Sequence, residues 1–124
     1  MEYSPDSWVI LRVTLKTQDS TFSQLRVLAG WRGGYLDADI WRVNSGIQAI
    51  EADDLEYRFS GHSGSAYRCR LGGYQMLNIM WDGFDQLKRH RHVVDAEILA
   101  DRDWSQPGLL EALLSSSIDD ADSA

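Results

Sequence analysis

Hydrophobic and polar residues alternate along the first third of the chain. The two apolar sets are Val9, Leu11, Val13 and Leu15, followed by Leu25, Val27, Ala29 and Trp31. A period of two is typical of β-strands with one buried face. Because the polar stretch 18–21 lies between the two sets, we predict two half-buried strands paired as an antiparallel hairpin.

Shorter stretches of the same kind continue to residue 71. The predicted strands cover residues 40–43, 47–52, 55–60 and 67–71. The segments between them are short and contain glycine, asparagine, serine or aspartate, which are the residues that favour turns. Strands joined by turns this short are typical of an antiparallel meander.

The hydrophobic period changes after Gly72-Gly73. Apolar residues recur every three or four positions, which predicts an amphipathic helix over about Tyr74–Arg89 with Trp81 on its buried side. Gly83 lies inside this helix, where it costs about 1 kcal/mol relative to alanine. We therefore expect Gly83 to lie where the helix crosses the sheet closely.

The last quarter predicts one more strand and one more helix. The strand covers 93–100, and the helix covers 105–114 with Ser105 as its cap and Pro107 in its first turn. The complete pattern predicts an α+β fold: an antiparallel sheet of about six or seven strands, one helix on a face and a second, C-terminal helix. We expect residues 1–114 to form a single domain and 115–124 to form a disordered acidic tail.

Charge is concentrated at one end of the chain. The net charge is −7, yet residues 1–44 hold five basic and five acidic residues and residues 45–92 hold six of each. Residues 93–124 hold eight acidic residues against Arg102 alone. Duplex DNA is not an expected partner, because DNA-binding proteins usually present a basic surface to the phosphates.

This charge distribution leads to the first functional hypothesis, a non-enzymatic protein that binds a partner with a basic surface. The candidate acidic surface consists of Asp95, Glu97, Asp101 and Asp103. One form of the hypothesis is an inhibitor of nucleic-acid-handling machinery of the phage anti-defence type, which would occupy a phosphate-binding surface.

A second hypothesis is a small ligand-binding protein or hydrolase. Its candidate residues are Tyr35, Asp37, Asp39, Trp41 and Arg42. Aromatic rings, an arginine and carboxylates in one loop could hold a polar ligand. Aspartates in loops also close turns by accepting backbone hydrogen bonds, so this alternative stays open.

A third hypothesis is a structural homo-oligomer. Trp8 and Ile10 fall on the face of the first strand opposite Val9 and Leu11. An exposed Trp8–Ile10 pair would be a candidate interface, since aromatic residues are enriched at binding hot spots. The alternative, which we favour, is that the second helix covers this face.

The sequence predicts no catalytic residue, metal site or cofactor. The strongest soft-metal ligands are His62, Cys69, His90 and His92, and their spacing fixes no third ligand. Ser63 lies between Gly61 and Gly64 in a predicted strand–turn–strand segment, whereas a nucleophile elbow requires strand–turn–helix. We interpret that segment as a hairpin turn.

Two segments resemble other sequences. Residues 30–47 read GWRGGYLDADIWRVNSGI and residues 61–69 read GHSGSAYRC. Both resemble segments of small uncharacterised bacterial and phage-type proteins. The resemblance implies that the middle third of the chain is a structural unit, and it implies no ligand or activity.

A single cysteine and the lack of a long apolar run set the expected location. One cysteine cannot form an internal disulfide, which favours a reducing compartment. No stretch reaches the length of about 18 apolar residues that a membrane span needs. We therefore expect a cytoplasmic protein without a membrane partner.

Overall fold

A computed structural model describes residues 1–33 and 40–115. The predictions on Tyr35, Asp37, Asp39 and the tail from 116 onward lie outside these residues. Within them the chain forms eight strands and two helices, which confirms the α+β fold class. In chain order the elements are β1 (Glu2–Tyr3), β2 (Ser7–Lys16), β3 (Thr21–Trp31), β4 (Ile40–Val43), β5 (Ile47–Ala52), β6 (Glu56–Gly61), β7 (Ala66–Arg70), α1 (Asn78–Lys88), β8 (Val93–Ile98) and α2 (109–115).

The strands form two sheets instead of the one predicted. An outer sheet has the order β1-β7-β6-β5, and a central sheet has the order β4-β3-β2-β8. The predicted β2–β3 hairpin is present, with Ser7 opposite Gly30 and Lys16 opposite Thr21. The outer sheet contains the parallel pair of β1 with β7, while its other pairs are antiparallel.

The central sheet is covered on both faces, so the prediction that β2 is half-buried is wrong. One face packs against the outer sheet and α2, and we call these contacts the inter-sheet layer. The other face packs against α1, and we call these contacts the helix layer. Because side chains alternate along a strand, β2 sends Ile10 into the first layer and Leu11 into the second.

Trp8 is at the centre of the inter-sheet layer. Its ring lies 4.8 Å from Tyr74, 5.4 Å from Phe59 and 5.7 Å from Tyr57, measured between ring centroids. Both Trp8 and Ile10 are 0% exposed. The hypothesis of an exposed Trp8–Ile10 interface is therefore wrong, and the face is covered mainly by the outer sheet, to which α2 adds Leu113.

Gly83 marks the closest approach of α1 to the central sheet. A Cβ atom at this position would lie 2.6 Å from the ring of Trp41 on β4. The expectation of a close helix–sheet crossing at Gly83 is confirmed. Trp81 is 46% exposed, so its predicted place in the core is wrong.

Helix α1 begins four residues later than predicted because residues 73–75 pair with β2. The Trp8 amide donates to the Gly73 carbonyl at 3.1 Å, and the Gln75 amide donates to the Trp8 carbonyl at 3.1 Å. These bonds hold Tyr74 in an extended conformation beside Trp8. Tertiary pairing thus overrides the helical period there.

Helix α2 begins at 109 and not at 105. Gly108 has a φ of +76°, which lies in the left-handed region and interrupts an α-helix. Residues 104–108 form turns instead. Arg12, which is buried, holds the end of α2 by donating from Nη1 to the Leu113 carbonyl at 3.1 Å.

In the part of the chain described, no helix has the length and apolar character needed to cross a membrane.

Candidate functional site

Strand β4 separates the residues of the predicted ligand loop. Trp41 packs into the helix layer, against Gly83. Ile40 and Arg42 instead line a groove beside the opposite face of the strand. The structure therefore removes Trp41 from the predicted site and keeps Arg42, while Tyr35, Asp37 and Asp39 lie outside the described residues.

The groove lies where the edges of the two sheets meet, and we call it the edge groove. Strand β1 is the edge of the outer sheet and β4 is the edge of the central sheet. The volume of the groove is about 530 Å³. Its principal lining side chains are Tyr3, Asp6, Trp31, Arg32, Ile40 and Arg42.

Two aromatic rings form the wall of the edge groove. Tyr3 and Trp31 meet edge to face, with centroids 6.2 Å apart and an interplanar angle of 68°. The Trp31 indole N–H donates to the Ser4 carbonyl at 3.0 Å, which fixes the ring. Tyr67 supports Tyr3 from the interior at 5.0 Å, and burial raises the pKa of Tyr67 to about 12. The wall is therefore an extension of the packed core.

Arg42 provides a positive charge against this wall. Its guanidinium carbon lies 4.5 Å from the centroid of the Tyr3 ring, within the range of a cation–π interaction. Among the described residues, Arg42 forms no ion pair. A stacked guanidinium still presents its N–H groups at its edge, where a planar acceptor can bind.

Asp6 fixes the backbone at one end of the groove. Its amide donates to the Gly30 carbonyl at 3.0 Å, and its carboxylate accepts the Arg32 amide at 2.7 Å. These bonds connect the segment after β1 to the end of β3. Asp6 therefore has a structural role, and it fixes the Arg32 backbone, while Arg32 also lines a separate cavity beside Met76, Leu77 and Asn78.

Sequence reasoning missed most of this site. The alternation of β3 places Trp31 with the core residues, and its ring does contact the inter-sheet layer while also facing the groove. Tyr3 belongs to a strand of two residues, too short to show a period. No sequence signal indicates that β1 pairs in parallel with β7, and this pairing is what brings Tyr3 to Trp31.

The four residues of the predicted acidic surface have different environments. Glu97 is paired with Arg12 at 2.7 Å. Asp101 accepts the Trp104 indole N–H and the Arg102 amide, each at 2.9 Å. Asp103 accepts the amide and hydroxyl of Ser105, and these bonds lower the pKa of Asp103. Asp95 is exposed on β8, opposite Thr14.

The described histidines do not form one cluster. His62 Nδ1 lies 2.7 Å from Gln48 Nε2, while the rings of His90 and His92 are 5.5 Å apart. Within residues 1–33 and 40–115, no three histidine, cysteine or acidic side chains are grouped so as to hold a metal. Cys69 is buried, and burial raises the pKa of its thiol.

The segment around Ser63 is a hairpin turn between β6 and β7. The Gly61 amide donates to the Ser65 carbonyl at 2.9 Å, and Gly64 has a φ of +88°. The Ser63 amide donates to the Ser45 hydroxyl at 3.0 Å. This agrees with the turn interpretation and not with a nucleophile elbow, since β7 and not a helix follows.

No protein-family model, curated protein or solved structure matches this chain. The resemblance to bacterial and phage-type proteins stays a prediction.

Proposed function

We propose that this chain is a non-enzymatic binding protein whose edge groove holds a small ligand. The observation that carries the proposal is Arg42, which lies 4.5 Å over Tyr3 in an open groove beside Trp31. Known ligand sites combine an apolar, aromatic lining with a few directed polar groups, and their volumes run from about 300 to about 1,000 Å³. The volume of about 530 Å³ falls within that range.

Two arginines of the outer sheet, Arg58 and Arg68, differ from Arg42 in their pairing. Arg58 pairs with Glu2 at 3.0 Å and with Glu51 at 3.3 Å, and Arg68 pairs with Glu56 at 2.5 Å. Their charges are thus neutralised within the protein. Arg42 has an aromatic ring beneath it and no carboxylate partner among the described residues.

The groups in the groove favour binding over catalysis. Asp6 is the carboxylate among the described lining residues, and it already accepts the Arg32 amide. The other polar side chains in that described lining belong to Tyr3, Arg32 and Arg42. Such a set can orient a ligand, whereas acid–base or nucleophilic catalysis requires a free base within reach of the reacting atom.

The test is a fragment screen followed by backbone amide and indole NMR on the 124-residue chain. We expect bound fragments to shift the signals of Tyr3, Trp31 and Arg42, and Arg42→Gln to weaken the binding of charged hits at least tenfold. Arg102→Gln is the matched control, because Arg102 lies 5.3 Å over the Trp104 ring outside the groove. Two results would contradict the proposal: hits that shift only signals outside the groove, or equal losses of affinity in Arg42→Gln and Arg102→Gln.

A second candidate function is binding of a basic protein partner through the acidic C-terminal surface. The favouring observation is that the donors to Asp101 and Asp103 are neutral groups, and neither carboxylate forms an ion pair among the described residues. Glu97 contributes less, since Arg12 neutralises it. Inhibition of nucleic-acid-handling machinery remains the specific form of this proposal.

A pull-down at increasing salt concentration tests the second candidate. Deleting the chain after Asp103 would remove Leu113 from the core, so surface substitutions are preferable. We expect Asp95→Asn with Asp103→Asn, both at exposed positions of the acidic surface, to release a basic partner at lower salt than the native protein. The charge-matched control is Asp54→Asn with Asp82→Asn, at exposed positions in the β5–β6 turn and on α1. Equal retention by both double variants would contradict the candidate.

A further inference from the structure

We infer that the ligand of the edge groove is an aromatic or similarly planar ring carrying an anionic acid group, either a carboxylate or a phosphate. This inference rests on the proposed function and adds the chemical class of the ligand. The basis for it is one stacked arginine, Arg42, beside two aromatic rings, Tyr3 and Trp31, among the described groove residues.

The anionic group is indicated by the charge of the lining. Arg42 lines the groove and forms no ion pair among the described residues. Among the described lining residues, the Arg42 guanidinium lies over the Tyr3 ring, and the Asp6 carboxylate already accepts the Arg32 amide. Guanidinium binds carboxylate and phosphate through two parallel N–H donors, which a stacked Arg42 can still present.

The planar ring is indicated by the rest of the lining. Trp31 uses its N–H on the Ser4 carbonyl, so it offers the ligand an aromatic surface and no donor. Ile40 is 55% exposed and extends this apolar surface on β4. A planar ring stacks on such a surface, whereas a small inorganic anion would leave it in contact with water.

The experiment compares four probes by calorimetry and NMR on the 124-residue chain. Benzoate and phenyl phosphate carry a ring and an anion, benzyl alcohol carries the ring alone, and acetate carries the anion alone. We expect benzoate and phenyl phosphate to bind at least tenfold more tightly than benzyl alcohol or acetate. The signals that shift should be those of Trp31 and Arg42.

Two variants separate the roles of charge and ring. Arg42→Gln should weaken the binding of benzoate at least fivefold more than the binding of benzyl alcohol. Trp31→Ala should weaken both ligands. Arg102→Gln, which removes an arginine stacked on Trp104, should change neither. Thermal unfolding of each variant checks that its fold is retained.

The possible failures are distinguishable. If benzyl alcohol binds in the groove as tightly as benzoate, the inferred anion is wrong and the proposed function stands. If acetate binds as tightly as benzoate, the inferred ring is wrong. If no probe shifts the groove signals and the fragment screen also finds no ligand there, both the inference and the proposed function are wrong.

Discussion

The two layers on either side of the central sheet differ in composition and in whether they reach the protein surface. The inter-sheet layer is rich in aromatic residues, among them Trp8, Tyr57, Phe59, Tyr67 and Trp104. The helix layer is mostly aliphatic, and Val9, Leu11, Val13 and Leu28 are fully or almost fully buried there. Helix α1 covers the second layer, whereas the first reaches the surface at the edge groove through Tyr3 and Trp31.

In the inter-sheet layer, the polar atoms of the aromatic rings form hydrogen bonds that fix the rings. Trp8 donates to the Arg70 carbonyl at 2.8 Å, and Tyr74 donates to the Leu99 carbonyl at 2.6 Å. Each bond fixes the orientation of a large ring, as a buried indole or phenol requires. Where such rings reach an edge of the sheets, they already form a rigid, partly apolar surface that can bind a ligand.

The largest expected effect comes from removing Trp8, the centre of the inter-sheet layer. Trp8→Ala deletes a fully buried ring and its hydrogen bond, so we expect the free energy of unfolding to fall by about 3–5 kcal/mol. Urea unfolding measures this change. Trp81→Ala on the half-exposed face of α1 is the control, with an expected loss of about 1 kcal/mol or less. Equal losses would contradict the central role of Trp8.

The next largest effect is expected at the contact between Gly83 on α1 and Trp41 on β4, in the helix layer. Alanine in place of glycine normally stabilises a helix by about 1 kcal/mol. At Gly83 the added Cβ would lie 2.6 Å from the Trp41 ring, so we expect Gly83→Ala to be destabilising by about 1–3 kcal/mol in chemical denaturation. Gly72→Ala is the control, because nothing lies within 4 Å of a Cβ there. A gain in stability from Gly83→Ala would show that α1 can move away from the sheet.

The tyrosines of the inter-sheet layer predict a loss of stability in alkali. Burial raises the pKa of Tyr67 and of Tyr74 to about 12, against 10.0 when unfolded. Below pH 10 both states are protonated and the full stability is present. Between pH 10 and 12 the unfolded chain releases protons that the folded chain retains, so the free energy of unfolding falls.

The expected slope is about 1.4 kcal/mol per pH unit for each tyrosine. Tyr67→Phe should make the slope shallower by about that amount, as measured by urea unfolding from pH 9 to 12. The buried Cys69 thiol acts in the same direction and is present in both proteins, so it cancels in the comparison. An unchanged slope in Tyr67→Phe would contradict the burial of that hydroxyl.

The smallest effect is expected at the Arg12–Glu97 pair beside α2. The Glu97 side chain is 45% exposed, so water screens the interaction with Arg12. We expect Glu97→Gln to cost less than about 1 kcal/mol, a loss that decreases at high salt. Glu111→Gln, on the exposed side of α2, serves as the control. A larger, salt-independent loss would mean that Glu97 is required to keep Arg12 on the Leu113 carbonyl.

Much of the secondary structure could be predicted from the sequence, whereas most of the site could not. The alternation from Val9 to Lys16 marks β2, and the helical spacing after Met76 marks α1. Of the five residues proposed for the ligand loop, the described part of the chain retains Arg42 in the groove and places Trp41 elsewhere. Tyr3 and Asp6 were not predicted, because their positions depend on pairing with distant segments.

The sequence by itself determined the local elements, since periods of two and 3.6 residues record which side chains point the same way. It also led to the expectation of a close helix–sheet contact at Gly83, which the structure confirms. Only the tertiary structure decided that β2 is buried on both faces, that Trp8 and Ile10 are in the core, and that Tyr3, Trp31 and Arg42 form one groove. The reason is physical. The hydrophobic period along a strand or helix specifies which face is apolar. The packing of separate sheets and helices decides which element covers that face and where the edge of a sheet stays open to solvent.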